Sequence, residues 1–99
     1  MFVAEFLIKR EDGHFLRTTP ETLAALATAE LVKDEGWGIL RLKHAPTGAI
    51  AVIDDEMPGL KIWFEGAAIH EGLQKAIVDG IAERLQSASA QDVYVIAIG

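Results

Sequence analysis

The sequence predicts an α+β domain: a mostly antiparallel sheet in the order ββαβββαβ, with both helices packed on one face. Three observations carry that expectation. Short stretches alternate apolar and polar residues with period two, two stretches repeat apolar residues every three or four positions, and turns bearing Gly, Pro or Asp separate them. The chain of 99 residues, 51% hydrophobic and 24% charged, can bury one core and not two, so residues 1–99 read as a single domain.

Over residues 2–9, Phe2, Ala4, Phe6 and Ile8 fall on one face and Val3, Glu5, Leu7 and Lys9 on the other, which predicts the first strand. Asp12-Gly13 is a hairpin signal, because a type I′ turn needs positive φ at both central positions. Residues 14–18 are expected to pair back as the second strand. Thr19-Pro20-Glu21 then combines a capping hydroxyl, a proline suited to the first helical turn and an acid that complements the positive helix end. The spacing of Leu23, Leu26, Ala27 and Leu31 predicts a helix over 20–33, ended by Gly36. Residues 37–44 read as a strand with Leu40 and Leu42 on one side and Arg41 and Lys43 on the other. Trp37, between Gly36 and Gly38, is expected to plug the core where that strand begins. Ala45-Pro46-Thr47-Gly48 is a turn, 49–53 a compact apolar strand, 54–59 a loop, and 60–65 a strand alternating Leu60, Ile62 and Phe64 with Lys61, Trp63 and Glu65. These three strands form an antiparallel meander. Ile69, Leu73, Ile77, Ile81 and Leu85 mark a long amphipathic helix over 67–87. The last strand, 92–98, is apolar on both sides, as a central strand would be. The helix-free face is expected to carry Arg41, Lys43, Lys61, Trp63 and Glu65.

The formal charge of −6 is unevenly placed. Residues 1–49 carry six Lys/Arg against seven Asp/Glu, and residues 50–99 three against eight. An acidic surface of that kind repels nucleic acid and anionic membranes and speeds encounter with a basic partner. With no cysteine, the chain has no disulfide framework, thiolate nucleophile or thiolate zinc site. Its first residues lack the basic flank of a secretory signal and include Glu5. No apolar run approaches the ~18 residues of a membrane span. A cytoplasmic location is expected.

The run Asp54-Asp55-Glu56 could offer oxygens to Ca²⁺ or Mg²⁺, but adjacent residues do not converge on one ion, and the spacing lacks the alternating carboxylates of a calcium loop. It reads instead as a solvated loop or as an acidic contact for a basic partner. Glu71, Lys75, Asp79 and Glu83 form one i, i+4 line on the second helix, where the like-charged Asp79 and Glu83 leave the exposed stripe net negative. Trp63, on the polar side of its strand, is either covered by another segment or available to anchor a partner. His14, His44 and His70 are widely separated, match no metal spacing and read as surface residues. No catalytic constellation, cofactor motif or metal site is legible.

Residues 60–98 combine an aromatic-bearing strand (Ile62-Trp63-Phe64), a helix rich in Ile, Lys and Glu, and a final apolar strand. In this they resemble small bacterial toxin-immunity proteins. The resemblance implies a non-enzymatic, cytoplasmic antidote that binds and occludes a toxin domain, as a monomer or homodimer. The expected contact residues are Asp54, Asp55, Glu56 and Trp63, then Glu71, Asp79 and Glu83, set against a basic protein. The other readings are a small ligand-binding or enzymatic domain, with a pocket near the three histidines, and a structural subunit of a phage or secretion assembly.

Overall fold

Alternating side chains over most of the chain assemble into one six-stranded sheet. A computed structural model describes residues 5–98, in the order β1 (Glu5–Arg10), α1 (Pro20–Ala24), β2 (Leu31–Asp34), β3 (Leu40–His44), β4 (Ala49–Glu56), β5 (Gly59–Gly66), α2 (Glu71–Ser89) and β6 (Val93–Ile98). The sheet order is β2-β3-β4-β5-β1-β6 and every pairing is antiparallel. The molecule is thus an α+β fold of six strands and two helices. Phe2, Val3 and Ala4, part of the expected first strand, lie outside the described residues.

Residues opposite one another in an antiparallel ladder share a face, so the register sorts the side chains. Phe6 faces Ile62, Ile8 faces Leu60, Leu40 and Ile62 both face Ile53, and Leu42 faces Ala51. All of these are buried, and they join Ile77, Val78, Ile81, Ala82 and Leu85 of α2 and Leu26, just after α1, in one core. Phe64 packs against this core, its ring edge-on to Phe6 at 6.4 Å. Both helices therefore cover the same side of the sheet.

Four local expectations are corrected. Residues 14–18 form no strand: Gly13 takes φ +79° and its N–H donates to the Arg10 carbonyl, so the turn forms, but β1 pairs with β5 and β6 instead. In that turn the His14 N–H donates to the Asp12 carboxylate at 3.0 Å, which lowers the Asp12 pKa from its ordinary 3.8. The first helix is five residues long, and not the expected 20–33. Its cap is as read, with Thr19 and Thr22 bonding reciprocally. It stops because the Thr28 hydroxyl accepts the N–H groups of Glu30 and Leu31, and Leu31–Asp34 then gains a full ladder against β3. Residues 37–39 precede β3 rather than belonging to it. Lastly β6 is an edge strand, with only β1 beside it among the described residues; its apolarity on one side meets α2 and on the other continues the row from Leu7.

Ile62 is fully buried at the centre of this core. Ile62→Ala is expected to lower unfolding free energy by about 2–5 kcal/mol in urea titration, through lost transfer energy and the cavity left behind.

Candidate functional site

The face of the sheet away from the helices carries the densest chemistry. One row crosses all six strands as Asp34, Arg41, Val52, Trp63, Glu5 and Ile98. Parallel rows place Val32, Lys43, Ile50 and Glu65 on one side of it, and Asp54, Lys61, Leu7 and Ile96 on the other. Arg41, Lys43, Lys61, Trp63 and Glu65 thus lie on the helix-free face, as the alternation predicts. Its charges nearly balance: Lys9, Arg41, Lys43 and Lys61 stand against Glu5, Asp34, Asp54, Glu56 and Glu65.

Part of this face is roofed by its own chain. Between β2 and β3 the backbone takes φ +152° at Gly36 and +98° at Gly38, values an L side chain rarely adopts. A Cβ at Gly36 would stand 2.5 Å from Arg41 Nε, and one at Gly38 would stand 3.1 Å from the Ile53 carbonyl and Val52 Cγ1. The loop therefore lies flat on the sheet and lowers the Trp37 ring onto Trp63, with centroids 5.6 Å apart at 54°. Trp37 is not the expected core plug; it is 64% exposed, on the opposite side of the sheet from the core. The two glycines that suggested close packing do serve it, but against Arg41 and Val52.

Arg41 is only 9% exposed beneath this loop. Its Nη2 donates to Glu65 Oε2 at 3.1 Å, its Nε is 3.8 Å from Asp34 Oδ2, and the Trp63 indole N–H donates to Glu65 Oε1 at 3.4 Å. Glu65 thereby ties the guanidinium to the indole. The Lys61 ammonium sits 5.7 Å from the Trp63 ring centre and 3.5 Å from the Glu5 carboxylate. The result is a two-ring aromatic platform whose lower ring is pinned by charge and whose upper ring meets water.

The sequence-predicted contact residues divide between two sides. Asp54 lies on the platform face, opposite Lys61. Asp55 and Glu56 are not in a loop: β4 runs through them to a turn at Met57-Pro58, so successive carboxylates alternate sides at the hairpin tip. Trp63 belongs to the platform, and its neighbour Trp37 is the residue that sequence reasoning missed. Glu71 begins α2, Asp79 accepts from Lys75 at 2.7 Å, and both Asp79 and Glu83 line a groove between α2 and β6. These three sit on the helix side of the sheet, away from Trp63. Among the described residues no three His, Asp or Glu side chains are placed to hold a metal ion. His14 is exposed, and His70 caps α2 by accepting the Leu73 N–H at 3.1 Å. His44, expected at the surface, is 8% exposed, because its pairing with Leu31 turns it toward the helix side; its Nδ1 is 2.8 Å from the Thr47 hydroxyl.

No protein-family model, curated protein or solved structure matches the chain.

The hold on Arg41 is directly testable. Glu65→Gln removes the charged acceptor from a buried guanidinium and is expected to cost about 1–3 kcal/mol in chemical denaturation. The same variant should alter the tryptophan emission spectrum, since it changes the partner of the Trp63 indole.

Proposed function

We propose that this chain is a non-enzymatic protein-binding domain that docks its partner on the helix-free face, with the Trp37–Trp63 platform as the anchor. One observation carries the reading: a large aromatic ring, 64% exposed, is held against a second ring by a loop with two positive-φ glycines and by the pair of buried Arg41 and half-buried Glu65 beneath. Rings positioned in advance lose little freedom on binding, and tryptophan and arginine are enriched among the residues that dominate interface energy. The interleaved charges of both signs around the platform set register and exclude wrong partners. The Glu56 carboxylate, at the neighbouring hairpin tip and on the docking face, adds a rim contact for a basic partner, and Asp55 beside it adds to the field that steers encounter. The resemblance of residues 60–98 to toxin-immunity proteins supports a toxin domain as that partner, with this chain as its cytoplasmic antidote.

Affinity capture from the source cells, followed by titration of the captured protein, tests this reading. Trp37→Ala is expected to weaken binding by about 30-fold or more, a loss of roughly 2 kcal/mol, while leaving thermal stability nearly unchanged. Equal affinity of the variant and the parent would contradict it. Replacing Asp55 and Glu56 by Asn and Gln should slow association and flatten its salt dependence. In the immunity reading, co-expression with a toxin encoded beside this gene protects the host, and Trp37→Ala reduces that protection.

A further inference from the structure

The two edges of the sheet are built differently. The β2 edge is four residues long and carries Lys33 and Asp34. The β6 edge is six residues, Val-Tyr-Val-Ile-Ala-Ile, without a charge, proline or glycine. Free edges of that second kind are templates for further strand pairing, and short or charged edge strands block it.

The ladder identifies which backbone groups face outward. The Glu11 N–H donates to the Asp92 carbonyl at 3.0 Å, and hydrogen-bonded pairs alternate along an antiparallel ladder. Tyr94, Ile96 and Ile98, opposite Lys9, Leu7 and Glu5, therefore aim their amides at β1. Val93, Val95 and Ala97 aim theirs away from it. The Val93 N–H is taken by the Gln86 side chain at 3.1 Å. The N–H and C=O groups of Val95 and Ala97 thus point out of the sheet, with no strand beside them among the described residues.

We propose that this edge pairs with itself: β6 of a second copy docks antiparallel about a two-fold axis at Ile96 and joins the two sheets into one. In this register Val95 and Ala97 of the second copy exchange both backbone bonds, and the symmetric pair does the same, while Gln86 keeps the Val93 N–H. On the helix-free face, Ile96 meets its own copy, and Tyr94, 40% exposed in the single chain, meets Ile98.

The helices carry an independent complementarity. Only residues 90–92 join α2 to β6, so the two run antiparallel, and the Gln86 bond sets Gln86 level with Val93. With a rise of about 1.5 Å per helical residue and about 3.3 Å per strand residue, Asp79 comes level with Ile96, and Lys75 and Glu83 lie on either side. Lys75, Asp79 and Glu83 all line the groove beside β6. The two-fold axis then places Lys75 of each copy opposite Glu83 of the other. Asp79, nearest the axis, faces its own copy, and the Lys75 ammonium at 2.7 Å offsets each of the two carboxylates. A second copy thus answers both the exposed amides and the charge order of the groove.

Sedimentation or light scattering across a concentration series tests the pairing. The expected mass at high concentration is about twice the 10.7 kDa of one chain. Ala97→Pro deletes an N–H that faces only the second copy, and should give a monomer with unchanged circular dichroism. Lys75→Glu, on an exposed helix position, should weaken dimerisation at least tenfold, and Lys75→Glu with Glu83→Lys should restore it; this pair decides the matter if the proline variant fails to fold. A wild-type monomer at every concentration overturns the proposal and leaves the edge to an extended segment of another protein. A dimer indifferent to both Ala97→Pro and Lys75→Glu overturns it by placing the interface elsewhere.

Discussion

A six-stranded sheet has two faces to keep from water, and this chain supplies helices for one. The five residues of α1 and the nineteen of α2 both pack on the side of Phe6, Ile8, Leu42, Ile53 and Ile62. The other side must reconcile Leu7, Ile50, Val52, Trp63, Ile96 and Ile98 with water by other means. It interleaves them with four cations and five anions and lays the 35–39 loop across the middle. That loop takes Arg41 out of solvent, and a buried guanidinium has to keep anionic acceptors. Glu65 meets this requirement at Nη2, while Nε and Nη1 are buried without a hydrogen bond; because its second oxygen accepts from Trp63, the same carboxylate orients the aromatic platform.

What was legible in the sequence follows from how local its causes are. Period-two alternation placed Arg41, Lys43, Lys61, Trp63 and Glu65 on one face, because in a strand the face of a residue depends only on its parity. The cap at Thr19 was legible for a similar reason, since its partner is three residues away. The helix expected over 20–33 was not realised beyond Ala24, because the periodicity of Leu23, Leu26 and Leu31 suits a helix but also suits a turn at Thr28 followed by a strand whose reward lies in β3. A long-range ladder outweighed local propensity there. Trp37 was misplaced for the same kind of reason. Gly36 and Gly38 announce a close approach, but nothing local says which surface is approached. The apolarity of β6 identifies a strand with company on both faces and says nothing about its edge.

The acidity of the second half of the chain is a feature of sequence order more than of any single surface. Asp54 stands opposite Lys61 in the ladder, and Asp79 is paired with Lys75; Asp55 and Glu56 stand at a hairpin tip, and Glu71 and Glu83 lie beyond the sheet on α2. Folding disperses the charge that the sequence groups. The aromatic platform, assembled from residues 26 positions apart, shows the reverse, since folding concentrates what the sequence separates. In the proposed reading the rings supply the binding energy, and the dispersed carboxylates act on encounter rates.

The most direct measurement is hydroxyl-radical footprinting of the chain alone and with its captured partner. Docking on the helix-free face predicts strong protection of Trp37 and Trp63 on complex formation, with the exposed face of α2 unchanged. Protection confined to α2, with both tryptophans as reactive as in the free chain, would contradict the account.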